Sequence, residues 1–299
     1  MKHNRLRTRS DRTFDAAMTG IPTAVYVVLY LLPCVAGLFF SFTNFGGYSL
    51  SFKLIGFANY KKMFADPAFF KSILNFLKLY LGTVLICFPL ALGVAIILTK
   101  NPSIREKHLY RVIYFFPSTV PAMLIAIMWM AMFNPTLGVL NRILGIFGFK
   151  AVQWLGSTKT VMTSITLVVI WRQFGFYMVY FMAGVTSIPT DIFESATIDG
   201  ASGWRQVFSI IIPLTWEVIR TSMLFYIQSA VNIGFDIVYI MTQGGPDNAS
   251  QILPTYMYQQ MTKNLDYGMA SAIGVAMLVV TMVLALVVLK LTKRETYEM

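Results

Sequence analysis

Residues 161–185 read VMTSITLVVIWRQFGFYMVYFMAGV, a run whose one charge is Arg172 and which contains no proline. The hydrocarbon core of a bilayer takes about 20 mostly apolar residues per helix, and this run is long enough to cross it. Five further runs of the same kind cover 21–42, 73–98, 112–133, 219–241 and 268–289. The fold class that follows is an all-α integral membrane protein with six transmembrane helices. The six-helix domain covers 21–291, between a basic tail at 1–20 and a short tail at 292–299.

Composition leads to the same class. Of the 299 residues, 57% are hydrophobic and only 12% are charged, and the mean hydropathy is +0.65. A soluble domain is about a quarter charged. A chain this poor in charge cannot cover itself with a solvated surface, so it must face lipid. The net charge of +11 could draw nucleic acid, but the basic residues lie between the apolar runs and form no single patch. They read as flanking and snorkelling charge, and no nucleic-acid partner is expected. Cys34 and Cys87 fall inside apolar runs without Cys-x-x-Cys spacing, and His3 and His108 lie far apart. No metal site is expected.

Lysine and arginine set the orientation. Lys2, Arg5, Arg7, Arg9 and Arg12 precede the first run. Lys100, Arg105, Lys107 and Arg111 follow the second, and Lys290, Lys293 and Arg294 close the chain. With six spans these three groups share one side, expected to be cytoplasmic, which gives an N-in, C-in topology. The opposite side carries fewer. The basic start followed by an apolar run also has the form of a signal peptide, but the run is too long and no small-x-small site follows it, so an uncleaved first span is expected. Pro22, Pro33, Pro89, Pro117 and Pro121 punctuate the spans, and membrane helices tolerate them when neighbours satisfy the freed backbone groups. In the outer loop 134–160, Val139, Leu140, Ile143, Leu144 and Phe147 form a stripe at helical spacing. A short helix on the membrane surface and a helix packed on the bundle fit it equally.

The connection 186–216, between spans four and five, is richer than a linker. Pro189 ends the preceding helix. Thr190 or Asp191 can cap a new one, and Glu194, three residues after Asp191, approximates a capping box. Ile192, Phe193 and Ala196 give that helix an apolar side, Asp199-Gly200 is a turn signal, and a second helix carries Trp204, Val207, Phe208 and Ile211 to Pro213. The product is a helix, a sharp turn and another helix on the cytoplasmic face. A docking surface and an ordinary helix-turn-helix connection both fit that pattern.

The run Glu194-Ser-Ala-Thr-Ile-Asp-Gly-Ala201, with Phe208 and Ile212-Pro213-Leu214, resembles the Glu-Ala-Ala loop of the inner-membrane permeases of binding-protein-dependent ABC importers. Ser195 replaces the first alanine, Ile212 replaces a leucine, and a proline often seen after Leu214 is missing. The likeness covers nearly the whole chain. Asn59-Tyr60, Asp66-Pro67, Arg111, Pro117, Pro121, Trp129, Gly138, Asn141, Thr242-Gln-Gly-Gly-Pro246 and Ala270-Ser-Ala272 resemble the maltose-transporter type of sugar permease.

The resemblance implies a bacterial or archaeal cytoplasmic-membrane importer for a sugar or oligosaccharide. It would pair this chain with a second, homologous permease in a heterodimer, and add two ATPase subunits and an extracytoplasmic solute-binding protein. Glu194, Ala196, Asp199, Gly200 and Ala201 would couple to the ATPase. The chain has no Gly-x-x-x-x-Gly-Lys-Ser/Thr loop, no His-Glu-x-x-His and no serine elbow. No catalytic residue and no cofactor are expected in it, and ATP and Mg would be bound by the partner.

Polar groups inside spans are costly and tend to face the bundle interior. Gln173, Phe176 and Tyr177 on span four, and Gln228, Asn232, Phe235 and Asp236 on span five, are the candidates for a solute path. Aromatic rings stack on the C–H face of a sugar, and amides and carboxylates pair with its hydroxyls. Hydrogen bonding between helices is the competing role, and Arg172 and Asp236 could neutralise each other. A secondary transporter or channel for a small polar solute is the alternative function. It would want coupling carboxylates or inverted repeats at mid-membrane, of which only Asp236 is present. A membrane enzyme would want a catalytic constellation, and none is seen.

Overall fold

The computed structural model describes residues 9–48, 51–101 and 104–293. Lys2, His3, Arg5, Arg7 and Arg294 lie outside the described residues. The helices are α1 (Arg9–Tyr26), α2 (Leu32–Phe40), α3 (Ala58–Ala65), α4 (Pro67–Gly82), α5 (Phe88–Lys100), α6 (Lys107–Thr119), α7 (Ala122–Met132), α8 (Val139–Ile146), α9 (Val161–Thr186), α10 (Thr190–Ile198), α11 (Trp204–Gln206), α12 (Ile212–Leu214), α13 (Trp216–Thr242), α14 (Leu253–Thr262) and α15 (Tyr267–Leu291).

Among the described residues, five helical stretches are long and apolar enough to cross a membrane: Phe14–Phe40, Pro67–Lys100, Val161–Thr186, Trp216–Thr242 and Tyr267–Leu291. A sixth crossing exists if α6 and α7 count as one span, although they meet at 96°. α1 starts at Arg9 and runs into the first span, so 9–20 is helical. The second begins at Pro67, well before the expected start. Asp66 caps it by accepting the Ala68 N–H at 2.8 Å, and proline at the first helical position needs no partner for its missing N–H.

Prolines act in two ways. Pro33, Pro89 and Pro213 each follow two residues behind a widened π-helical turn, at Val27–Leu31, Thr83–Cys87 and Val207–Ile211. Proline offers no N–H to the carbonyl four residues back, and its ring crowds that carbonyl. Widening the turn relieves both problems. The N–H just ahead of each proline reaches five residues back, from Leu32 to Val27, Phe88 to Thr83 and Ile212 to Val207. Pro121 instead breaks its span. Val120 before it is extended, at φ −76° and ψ 136°, as a residue preceding proline tends to be. The span expected over 112–133 is therefore two helices.

The chain divides into two compact units, Met1–Ala65 with Gln259–Ala276 and Asp66–Tyr258 with Met277–Met299. In the first, the Asn59 amide donates to the Ser41 and Thr43 carbonyls at 2.9 and 2.8 Å, and Lys62 pairs with Asp266 at 3.0 Å.

The second unit holds the main core, where α4, α5, α9 and α13 pack. Lipid tails are as apolar as leucine, so close packing and interhelical hydrogen bonds, not exclusion from water, hold such helices together. Tyr226 is fully buried and donates to the Thr83 hydroxyl at 2.8 Å, across to the widened turn of the second span. Tyr80 donates to the Met223 carbonyl at 3.1 Å. At Gly175 the backbones of α6 and α9 touch, and a Cβ there would lie 1.7 Å from the Tyr114 carbonyl oxygen.

Candidate functional site

The connection 186–216 folds as a helix with a defined stop. α10 spans Thr190–Ile198 and ends in a residue-for-residue Schellman motif. The Ala201 N–H bonds to the Ala196 carbonyl at 2.8 Å, the Gly200 N–H bonds to the Thr197 carbonyl at 3.0 Å, and Gly200 between them has φ +77°. Ala196, Gly200 and Ala201 are thus the parts of one turn. No atom lies within 4 Å of a Cβ built on Gly200, so the requirement there is purely one of backbone conformation. Gln206, which the sequence reading passed over, braces the turn by donating to the Ala201 carbonyl at 2.8 Å and to the Thr197 hydroxyl at 3.1 Å.

The start of α10 differs from expectation. Its cap is Pro189, which has no side-chain acceptor, and no side chain bonds the first turn. Asp191 sits within that turn and stabilises it through the helix dipole. Glu194 lies a turn further along, exposed, and does not cap.

The apolar side of α10 is bound to the bundle. Ile192 and Phe193 pack on a small core of Ile96, Val185, Ile188 and Ile211, and the Lys100 ammonium lies 3.1 Å from the centroid of the Phe193 ring. Ile198 at the end of α10 is 86% exposed, and after the turn Trp204 and Phe208 are 77% and 65% exposed and stack at 6.2 Å. Asp199 is exposed beside them. This short helix is thus fixed to the bundle by one side, with large apolar groups exposed in the same connection.

The solute-path candidates divide. Asn232, Phe235 and Asp236 line a groove of about 430 Å³ with Val231, Pro254, Met257, Tyr258 and Met277. Phe235 stacks on Tyr239 at 5.5 Å, and Tyr258 meets both rings edge-on at 5.4 and 4.9 Å. Gln228, four residues before Asn232 on α13, is exposed on the same helical face. Phe176 is 46% exposed on α9.

Tyr177 and Gln173 do not line this groove. Tyr177 is buried in the core against Phe88 at 4.4 Å and Tyr226 at 6.0 Å. Gln173 is buried and accepts from Arg172 at 3.2 Å. Arg172 also donates to the carbonyls of Ser118 and Val120, at 3.5 and 3.4 Å. The bend at Pro121 leaves those carbonyls short of helical donors, so Arg172 serves the broken span and no ion pair with Asp236 forms.

Asn141, one of the residues behind the family likeness, holds the outer loop together. Asn141 is buried and makes four hydrogen bonds, donating to the Pro135 and Val152 carbonyls and accepting from the Val152 N–H and the Trp154 indole. The loop after α13 is held by Asn75, whose amide donates to the Ala249 and Gln251 carbonyls at 3.0 Å.

Comparison with known proteins places the chain in a family. Residues 88–296 match the binding-protein-dependent transport system inner membrane component family. The chain belongs to that family, as a multi-pass permease subunit of the inner membrane. It is 33% identical over 286 residues to the diacetylchitobiose uptake system permease protein of Streptomyces coelicolor, covering 92% of this chain and 81% of that one. It is 29% identical over 274 residues to the multiple sugar-binding transport system permease protein of Streptococcus mutans, covering 92% and 93%. A chain of the bacterial alginate ABC transporter, crystallised with an alginate pentasaccharide-bound periplasmic protein, shares the fold at a TM-score of 0.81, with 22% identity and coverage of 96% and 97%.

Proposed function

We propose that this chain is one permease of an ABC sugar importer and forms the path for a sugar or oligosaccharide handed over by an extracytoplasmic solute-binding protein. Kinship carries the class, since the relatives named above include a diacetylchitobiose permease and a multiple-sugar permease. The groove carries the solute. The rings of Phe235 and Tyr258, the Asn232 amide and the Asp236 carboxylate line it, with Tyr239 stacked on Phe235, and a polyhydroxylated ring asks for those groups. Gln228 and Phe176 extend the path. Gln173 and Tyr177 support it from behind, as packing.

A second, homologous permease completes the pathway, and two ATPase subunits, binding ATP and Mg, drive it. α10 docks in the ATPase, with Glu194, Ala196, Asp199, Gly200 and Ala201 as the coupling turn. Both termini and α10 face the cytoplasm.

One experiment tests both halves. The assembled importer is reconstituted in vesicles, and solute uptake, solute-stimulated ATP hydrolysis and ATPase copurification are measured together. Asn232→Leu removes a hydrogen-bonding group worth about 1–3 kcal/mol and lowers uptake with the ATPase still bound. Gly200→Val abolishes coupling, whereas Glu194→Ala is milder, because an exposed ion pair is worth only about 0–1 kcal/mol. Unchanged uptake of every carried sugar in Asn232→Leu removes the groove from the path, and wild-type coupling in Gly200→Val removes α10 from the interface.

A further inference from the structure

A second groove, of about 700 Å³, runs between α4 and α9. Its lining includes Lys71, Lys78 and Lys159 and contains no aspartate or glutamate. Lys71 and Lys78 are two helical turns apart and so share a face of α4. Lys71 spends one N–H on the Asp247 carbonyl at 2.5 Å. All three lysines are exposed. Thr163 also lines the groove, and Ile86 and Leu167, 51% and 44% exposed, lie at the other end.

The depth of these groups follows from helix lengths. The stretch Pro67–Lys100 has 34 residues, about 51 Å at 1.5 Å per residue, whereas the hydrocarbon core is about 30 Å. Gly82 and Thr166 stand level, since a Cβ on Gly82 would lie 2.7 Å from the Thr166 methyl. From that level about 20 residues remain to the far end of each helix, which fills the core. Lys78 therefore sits one turn above the hydrocarbon, Lys159 and Lys71 sit higher, and Ile86 and Leu167 sit within it. The groove is cationic at headgroup depth and apolar at acyl depth.

We propose that this groove seats an anionic phospholipid, with its phosphate between Lys78 and Lys159 and its acyl chain along Ile86 and Leu167. The site is set by geometry alone. That its leaflet is the one facing the solute-binding protein rests on the N-in reading above.

The test uses the assembled importer in nanodiscs of phosphatidylglycerol and phosphatidylcholine in equal parts, with retained lipid counted by native mass spectrometry. Wild type should retain phosphatidylglycerol in excess of the bulk ratio. Lys159→Gln should lower the excess about fivefold, and the pair Lys78→Gln with Lys159→Gln about twenty-five-fold or to the bulk ratio, at about fivefold per basic residue near a charged surface. Arginine at both positions should restore it, and Lys61→Gln should leave it unchanged. Lys159 lies outside the helix, so its single substitution reads the site even if the pair fails to fold. No excess in wild type, or full excess in the pair, overturns the proposal. So does loss of a copurifying subunit at constant lipid ratio, which would mean that the groove seats protein. Nanodiscs are blind to sidedness, so orientation is read separately by impermeant thiol labelling of Lys159→Cys in intact cells. Protection there breaks the topology and leaves the lipid site standing.

Discussion

The second and third spans meet proline differently. Pro89 lies inside the long stretch Pro67–Lys100, which absorbs it in a widened turn and continues. Pro121 turns its span by 96°. The residues around each proline account for the difference. At Pro89 the widened turn is held from the side by Tyr226, which bonds Thr83, so backbone and neighbour agree on a continuous helix. Ahead of Pro121 the hydroxyls of Ser118 and Thr119 fold back onto the Phe115 and Phe116 carbonyls at 2.7 Å and close the last turn of α6. Arg172 then covers the carbonyls beyond. A proline bends a membrane helix sharply where side chains are ready to take over the backbone's lost partners.

The largest way to break this contrast is at Gly175, where α6 crosses α9 in backbone contact. Gly175→Val forces the two apart and should abolish recovery of monodisperse protein in size-exclusion chromatography. Next comes Arg172→Leu, which leaves the half-buried Ser118 and Val120 carbonyls and the Gln173 oxygen without that donor. It should cost about 1–3 kcal/mol, read as a lowered midpoint of thermal unfolding in detergent, and a midpoint equal to wild type would show that the bend needs no outside donor. The smallest change is expected for Pro89→Ala, within about 1 kcal/mol, because the span is already continuous there. A drop as large as that of Arg172→Leu would erase the distinction.

Much of the fold was legible in the sequence. Spans four, five and six were read at 161–185, 219–241 and 268–289, against Val161–Thr186, Trp216–Thr242 and Tyr267–Leu291, because each is an apolar run bounded by polar turns. The second span was read from 73 and so short of Pro67, because Lys71 and the polar turn before it look like loop, whereas the helix continues outward past the hydrocarbon, where lysine costs little. The bend at Pro121 was not legible, since hydropathy has no direction and the deciding partner, Arg172, lies on another span. For the same reason Gln173 looked available and is occupied. Gly200 was legible because a positive φ leaves a mark in sequence, whereas Pro189 displaced the cap expected at Thr190 or Asp191, and Gln206 carries no sequence signal of its role. In the groove Tyr258 was missed, and beside it Tyr239, because nothing in their spacing joins them to Phe235.

The widened turn at Thr83–Cys87 also sets the phase of the second span. A π-helical turn carries one residue more than the α-helix around it, and one residue is worth about 100° of rotation. The side chains of α5 therefore point where they do because of a surplus residue upstream, so the apolar faces of α4 and α5 cannot be drawn on a single helical wheel. Deleting Leu85 would leave an unbroken helix with Pro89 inside it, and would turn Ala91 and Ala95, both fully buried, away from the core they now fill.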